Sequence, residues 1–319
     1  SRSAARVWAQ RTTDDAARED AFAALLRRAL ARRASVAHAR TLAAAEADDL
    51  PGLELRRFDD AVAGSVRSAA LAAHATPLAA AIGRVFERSS VYVVPPTGGR
   101  AYALGDCGPS RLVERGVSLV PLAWARDAVG WAQRTPIRSW VAALASERTV
   151  VDLLGSDDAA AQARVAGARH VVTCERDAEA SAVDVRSLGA VERLARAPDS
   201  AAQTLFDQGA RFELVVGSVP ATQQPKDARR VDQRVWNLLR LVAHTGGTVL
   251  AWSDDEGRGD APLVASAAHA AGRLGVRVSV RAVVRTQCDV PSVAAHEGAR
   301  RWTLVVLDVE GSEPAGDVE

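Results

Sequence analysis

"TVVDLLGSDDAAAQARVAGARHVVTCERD", Thr149 to Asp177, decides how the second half of the chain folds. It opens on an almost unbroken apolar run, the pattern of a parallel strand covered on both faces. Ala159 to Ala166 suits a helix, Gly167 stops it, and "RHVVTCE" is a second strand. Glu175 then follows Asp152 by roughly 20 residues, the spacing at which an acid takes the ribose hydroxyls of a nucleotide cofactor. The turn between them departs from that plan. Such turns are glycine-rich, because the backbone must adopt positive φ and come close to the ligand. Here Gly155 is followed by Ser156, Asp157 and Asp158.

The same alternation continues outward to the C-terminus. "RFELVVGSVP" is a buried strand, Val231 to His244 a helix, and "GGTVLAW" a strand that starts at the Gly246-Gly247 helix stop. A helix from Pro262 to Leu274 leads to "VRVSVRAVV", where Val276, Val278, Val280 and Ala282 alternate with Arg277, Ser279 and Arg281. "RRWTLVVLDV" closes a doubly wound sheet. Strand–helix alternation ending in a strand pair is the layout of class I methyltransferases rather than of NAD enzymes.

The first half reads differently. Phe22, Leu25, Leu26, Ala29 and Leu30 recur at helical steps between Asp14 and Ala34, and Arg18, Arg27, Arg28, Arg32 and Arg33 lie mostly on the other face. Short extended segments around a helix at Pro77 to Phe86 follow, giving strand, strand, helix, strand, strand in a small α+β unit. The expected organisation is residues 1–36 as an N-terminal strand remnant and amphipathic helix, 37–140 as the α+β domain, 141–309 as the Rossmann-like domain and 310–319 as an acidic tail.

Composition narrows the class. The 319 residues are 48% hydrophobic and 25% charged, as in a soluble globular chain, and no apolar run reaches the ~18 residues of a membrane span. A net charge of +1 makes any nucleic-acid surface a local patch. Lys226 is the single lysine, which a GC-rich genome explains as well as a phosphate-binding role does. Cys107, Cys174 and Cys288 show no metal or disulfide spacing and read as buried thiols of a reducing compartment. "SRSAARVWAQR", arginine- and serine-rich without acids, reads either as the stub of an organelle-targeting segment or as a strand remnant.

Taken together, these stretches resemble the bacterial-type 23S ribosomal RNA cytosine-C5 methyltransferases. "EADDLPGLELRRFDD" (Glu46–Asp60), "FERSSV" (Phe86–Val91) and "ERGVSLVPLA" are similar to segments of that family's middle domain. "GARHVVTCERD", "RFELVV", "LLRLVAHTGGTVLAWS" and "CDVPSVAAHEGARRWTLVVL" are similar to its catalytic domain. The resemblance implies a PUA domain, here reduced to "SAARVWAQR", then a strand-strand-helix-strand-strand domain and an S-adenosylmethionine-binding domain.

Matched residue by residue, the family's chemistry is missing. The cofactor turn is Asp152-Leu153-Leu154-Gly155-Ser156-Asp157-Asp158, one residue short, and its two acids would repel the cofactor's carboxylate. The base-holding Asp-Pro-Pro is Ser218-Val219-Pro220, and Asp254 stands where the attacking cysteine belongs. A carboxylate cannot add to a pyrimidine as a thiolate does. The Asp-Gln-Arg group survives as Gln133-Arg134 after Ala132, and Val290 replaces a histidine. Asp152, Gly155 and Glu175 remain as relic cofactor residues, with no cofactor expected.

The expected function is therefore a degenerate methyltransferase-like protein, a structural or assembly component of a ribonucleoprotein such as the mitochondrial ribosome. Its partners would be ribosomal RNA and ribosomal or assembly proteins, with no membrane and no metal. Arg27, Arg28, Arg32, Arg33, Arg277 and Arg281 are the candidate phosphate contacts. The alternative is a divergent S-adenosylmethionine-dependent methyltransferase acting on RNA, with Asp254 or Asp255 as general base. The plainer reading of the acids in both turns is that of solvated loop residues. A scaffold partnering an active enzyme is a third reading.

Overall fold

The computed structural model describes residues 14–32, 41–44, 48, 50–86, 88–95, 100–104, 111–174, 181–184, 189, 191–220, 225–253, 261–285 and 302–311. These fall into two compact units. The first comprises described residues within Ser1–Ala132 together with Ala182–Asp184, and the second those within Gln133–Ser181, Val185–Thr286 and Gly298–Glu319.

The first unit is a five-stranded sheet of β1 (Thr41–Ala44), β2 (Leu53–Arg57), β3 (Val62–Val66), β4 (Ser89–Val93) and β5 (Tyr102–Leu104), in that spatial order. Neighbours are antiparallel except β3 and β4, which the crossover through α2 (Ala69–Ala72) and α3 (Ala75–Val85) makes parallel. Three strands precede the helices where the sequence pattern suggests two, because Thr41–Ala44 adds an edge to the β2–β3 hairpin. "RGVSLV" does not join this sheet; it supplies the turn and β7 (Val117–Leu119) of a separate hairpin with β6 (Leu112–Glu114).

α1 (Asp15–Arg32) starts where Asp14 accepts the N–H of Ala16 at 3.0 Å, as an N-cap does. It buries Phe22, Ala23, Leu26 and Ala29 in one core with Leu53, Leu55, Leu78 and Ile82 from the sheet and α3. The opposite face of the sheet carries a polar knot. Arg56 donates twice to Glu114, at 2.7 and 2.8 Å, and to Thr41 at 3.0 Å, while the Trp131 indole donates to Glu114 at 2.7 Å.

The second unit holds β8 (Thr149–Leu153), β9 (His170–Cys174), β10 (Glu192–Leu194), β11 (Leu214–Val219), β12 (Gly247–Ser253), β13 (Arg277–Arg285) and β14 (Thr303–Glu310). Their order is β10-β9-β8-β11-β12-β14-β13, parallel throughout except for β14, which runs antiparallel to both of its neighbours. α6 (Thr135–Leu144) and α7 (Asp158–Val165) cover one face; α8 (Pro198–Asp207), α9 (Pro225–Arg240) and α10 (Ala261–Leu274) cover the other. Two short helices, α4 (Pro121–Arg126) and α5 (Ala128–Gln133), precede them. This is the doubly wound sheet expected from the sequence. The reversal of strand order between β8 and β11 sets the crevice in which such folds bind ligands.

Two details correct the sequence pattern. β13 does not keep its alternation, because a bulge between Val280 and Ala282 shifts the register. Val280 is left 44% exposed, while Ala282 and Val284 pack on the α6–α7 side. α9 begins at Pro225 and ends at Arg240, where the pattern placed a helix running to His244. Gly247 has φ +149, and a Cβ there would sit 2.2 Å from the Glu213 carbonyl oxygen, so the glycine pair is required by the fold alone.

Candidate functional site

The switch-point crevice begins at the end of β8. Asp152 points inward from that strand and is completely buried. Its carboxylate accepts the N–H groups of Leu154 at 2.9 Å, Ala159 at 3.1 Å and Ala160 at 2.9 Å. The last two donors head α7 and have no partner within the helix. Asp152 thus caps the helix from the preceding strand and closes the turn on itself.

Burial raises the Asp152 carboxyl to about 7, against the opposing pull of the N–H groups of Leu154 and Ala160, with the nearby charges of Asp157 and Asp158 adding to the rise. Gly155, at φ +76, supplies the left-handed residue the turn needs. Its N–H is directed to the Cys174 sulfur. Burial, followed by the charge of Asp152, pushes the Cys174 thiol up to about 12, so it stays protonated at neutral pH.

Asp157 and Asp158 are not solvated loop residues: they are 1% and 0% exposed. Asp157 adopts φ 56, a left-handed conformation that Asp tolerates better than most side chains. It accepts from the Thr173 hydroxyl at 3.0 Å and from Arg193 of β10 at 3.2 Å. Asp158 turns toward α6, where Arg134 donates at 2.6 Å and Arg138 at 3.2 Å. Arg138 is 1% exposed and also donates to Thr135 at 3.0 Å. The expectation that these acids project into the cofactor space is corrected by this pairing: each carboxylate is neutralised by arginine within the unit.

The remaining sequence candidates scatter. Glu175, Asp254, Asp255, Val290 and Arg33 lie outside the described residues, as does "SRSAARVWAQR". Ser218 is half-buried and Val219 buried at the end of β11. Arg27 and Arg28 are exposed on α1, while Arg32 pairs with Asp48 at 3.4 Å. Arg277 and Arg281 are exposed on edge strand β13, paired with Glu310 at 3.3 Å and Asp308 at 2.7 Å on β14. The bulge separates them, so they do not form one regular strand face.

Sequence reasoning missed Thr173, Arg193, Arg138 and the role of Asp158. One signal was available. Arg134 and Arg138 stand four residues apart at the start of an otherwise apolar helical stretch, a spacing that places both on one side. Among the described residues no group of three or more His, Cys, Asp or Glu is arranged to hold a metal, and no helix is long and apolar enough to cross a membrane.

No protein-family model matches the sequence, and no curated protein matches it. Solved structures do match. A Streptococcus mutans protein assigned to the SAM-dependent methyltransferases has a TM-score of 0.66 at 11% identity, covering 91% of this chain and 81% of its own. The methyltransferase-type protein SMU.776, in complex with SAH, gives 0.65 at 12% identity with the same coverage. A Pyrococcus horikoshii protein assigned as a transferase gives 0.51 at 13% identity, over 90% of this chain and 100% of its own. With the strand order described above, these likenesses show that the chain has a Rossmann-like class I methyltransferase fold.

Proposed function

We propose that the chain is a catalytically degenerate relative of the ribosomal RNA methyltransferases, serving as a structural or assembly component of a ribonucleoprotein. One observation carries this reading: the cofactor turn is occupied by the protein's own groups. In nucleotide-binding folds the N–H groups of the turn and of the following helix point at the ligand's anionic part. Here those of Leu154, Ala159 and Ala160 are taken by Asp152. Placing the cofactor's carboxylate there means displacing a buried acid from three N–H groups. A residual methylation reaction through the ancestral covalent route also lacks its cysteine, which Asp254 replaces.

The partners proposed are ribosomal RNA and ribosomal or assembly proteins. The particle proposed is the mitochondrial ribosome. Cofactor-independent binding of this kind needs no intact pocket, only a surface.

A second reading, a divergent SAM-dependent methyltransferase acting on RNA, is favoured by the likeness to SMU.776, which was solved with SAH. In it Glu175 would hold the ribose and Asp254 or Asp255 would act as general base. Titration calorimetry with SAM and SAH separates the two. Micromolar binding abolished by Glu175→Ala establishes the second reading; no heat up to millimolar ligand supports the first. Copurification with ribosomal RNA and many ribosomal proteins supports the ribonucleoprotein role, and recovery of one enzyme in place of them argues for a scaffold instead.

A further inference from the structure

Two stretches that the resemblance singles out contribute to one groove in the first unit: "LELRRFDD" through Arg57 to Asp60, and "FERSSV" through Phe86 and Arg88. The groove has a volume of about 360 Å³ and is open to solvent. Its walls are the β2–β3 hairpin, from Arg57 to Val62, and the C-terminal end of α3 with Val85, Phe86 and Arg88. The hairpin is fixed by the Phe58 N–H donating to the Ala61 carbonyl at 2.7 Å, and by Phe58 packing edge-on against Trp124 at 5.1 Å. Phe86 ends α3 in extended conformation, its N–H still bonded to Ile82; it packs against the core, stays half-buried and lines the groove.

Arg57 and Arg88 are both exposed and make no ion pair among the described residues. Arg84 is paired with Glu19 and Asp20, Arg32 with Asp48, and Arg56 with Glu114, whereas Arg57 and Arg88 share their unpaired state with exposed arginines such as Arg67 and Arg126 and differ from those in lining the groove. Asp60 stands exposed on the same lining, and Asp59, also exposed, has a partner of its own. Among the described residues the groove therefore offers two cations, the Asp60 carboxylate and Phe86 within a volume suited to a small ligand. A simple polyanion would meet the acid as well as the arginines. A nucleotide satisfies all three, with phosphate on guanidinium, base amino groups on carboxylate and ring on Phe86.

We propose that this groove binds a nucleotide of single-stranded RNA, since a base can enter it only when unstacked from its neighbours. The proposal rests on the RNA-bound reading above for the source of the nucleotide, and it places the contact on the first unit, not on the turn that follows β8.

The test is fluorescence anisotropy of a labelled ten-nucleotide single-stranded RNA with the full chain. Arg57→Ala and Arg88→Ala are each expected to weaken binding about fivefold to tenfold and to lower the salt dependence, the double variant more than either. Phe86→Leu, which keeps the apolar contact with the core, is expected to weaken binding without changing the melting temperature. Arg229→Ala/Arg230→Ala, on the exposed side of α9, is the surface control and should leave affinity within twofold. Binding lost in that control and kept in the groove variants would overturn the groove while leaving the RNA reading standing. No binding by the unaltered chain at 50-fold excess over a micromolar probe would overturn both. Displacement of the RNA by micromolar free mononucleotide would overturn the single-stranded RNA source in favour of a free ligand.

Discussion

The turn after β8 and the groove beside Phe86 use the same residue types in opposite ways. In the turn, Asp157 and Asp158 are buried and each faces arginine, with Arg138 itself only 1% exposed. In the groove, Arg57 and Arg88 face water beside Asp60. Charge buried and paired inside a fold is committed to that fold, since exchanging its partner for a ligand exposes a desolvated ion. Charge left solvated costs little to redirect. The contrast assigns structure to the turn and binding to the groove, and it can be broken at either end.

The largest effect is expected at Asp158. Asp158→Ala takes the carboxylate from between Arg134 and Arg138 and leaves a guanidinium buried without it. Breaking such a pair from one side costs about 3–5 kcal/mol. Guanidinium denaturation should show that loss; a change below about 1 kcal/mol would mean that the turn is not held by this pairing and that the comparison fails at its first term.

Asp152 gives the next effect, and it is read against pH. Its folded value, about 7, lies above the ordinary aspartate value of 3.8, so between those limits the folded chain binds more protons than the unfolded one. Stability from this group is therefore fully present below the unfolded pKa and declines as pH rises toward about 7. The span corresponds to roughly 4 kcal/mol. Melting temperature measured from pH 8 down to pH 5 should rise on this account, and Asp152→Asn should flatten that rise whatever its effect on stability at a single pH. Glu213 acts in the opposite sense. The Thr149 N–H holds its carboxyl low, so its contribution is present above the ordinary carboxylate range and is lost only in acid, outside the window of Asp152.

How much of this was legible in the sequence follows from what each feature depends on. The doubly wound sheet was readable because β8, β9, β11 and β12 are apolar runs whose burial comes from their place in the middle of the sheet. Arg193 on β10 was passed over because Glu192–Leu194 is short, half-exposed and carries no period. The bulge at Arg281 was invisible because alternation in "VRVSVRAVV" is the same with or without it; only pairing with β14 shows which residue is extra. At the candidate site, Asp152 and Gly155 were found from their position after a strand. That Asp158 turns inward was not, because it depends on Arg134 and Arg138, 24 and 20 residues earlier, meeting it in space.

Thr173 offers a smaller cut at the same turn. Thr173→Val keeps shape and β-branching and removes the hydroxyl that donates to Asp157 at 3.0 Å. Arg193 still donates to the other oxygen, so the acid keeps its charge partner. The loss should be about 1.5–3 kcal/mol in denaturant unfolding, the value of one hydrogen bond to a charged group. An effect as large as that of Asp158→Ala would mean that Asp157, and not Asp158, anchors the turn.

The smallest effect on stability belongs to the groove, and there its smallness is the argument. Arg57 ends β2 and Arg88 precedes β4, both exposed and neither ion-paired among the described residues, so truncating them removes no buried contact. Arg57→Ala and Arg88→Ala should each stay within about 0.5 kcal/mol of the parent chain in denaturant unfolding. If RNA affinity falls in the same proteins, energy is being spent on a partner and not on the fold, the reverse of the turn. A destabilisation above about 1 kcal/mol would instead show that these guanidiniums hold the hairpin and α3 together. The two regions would then differ in exposure but not in purpose.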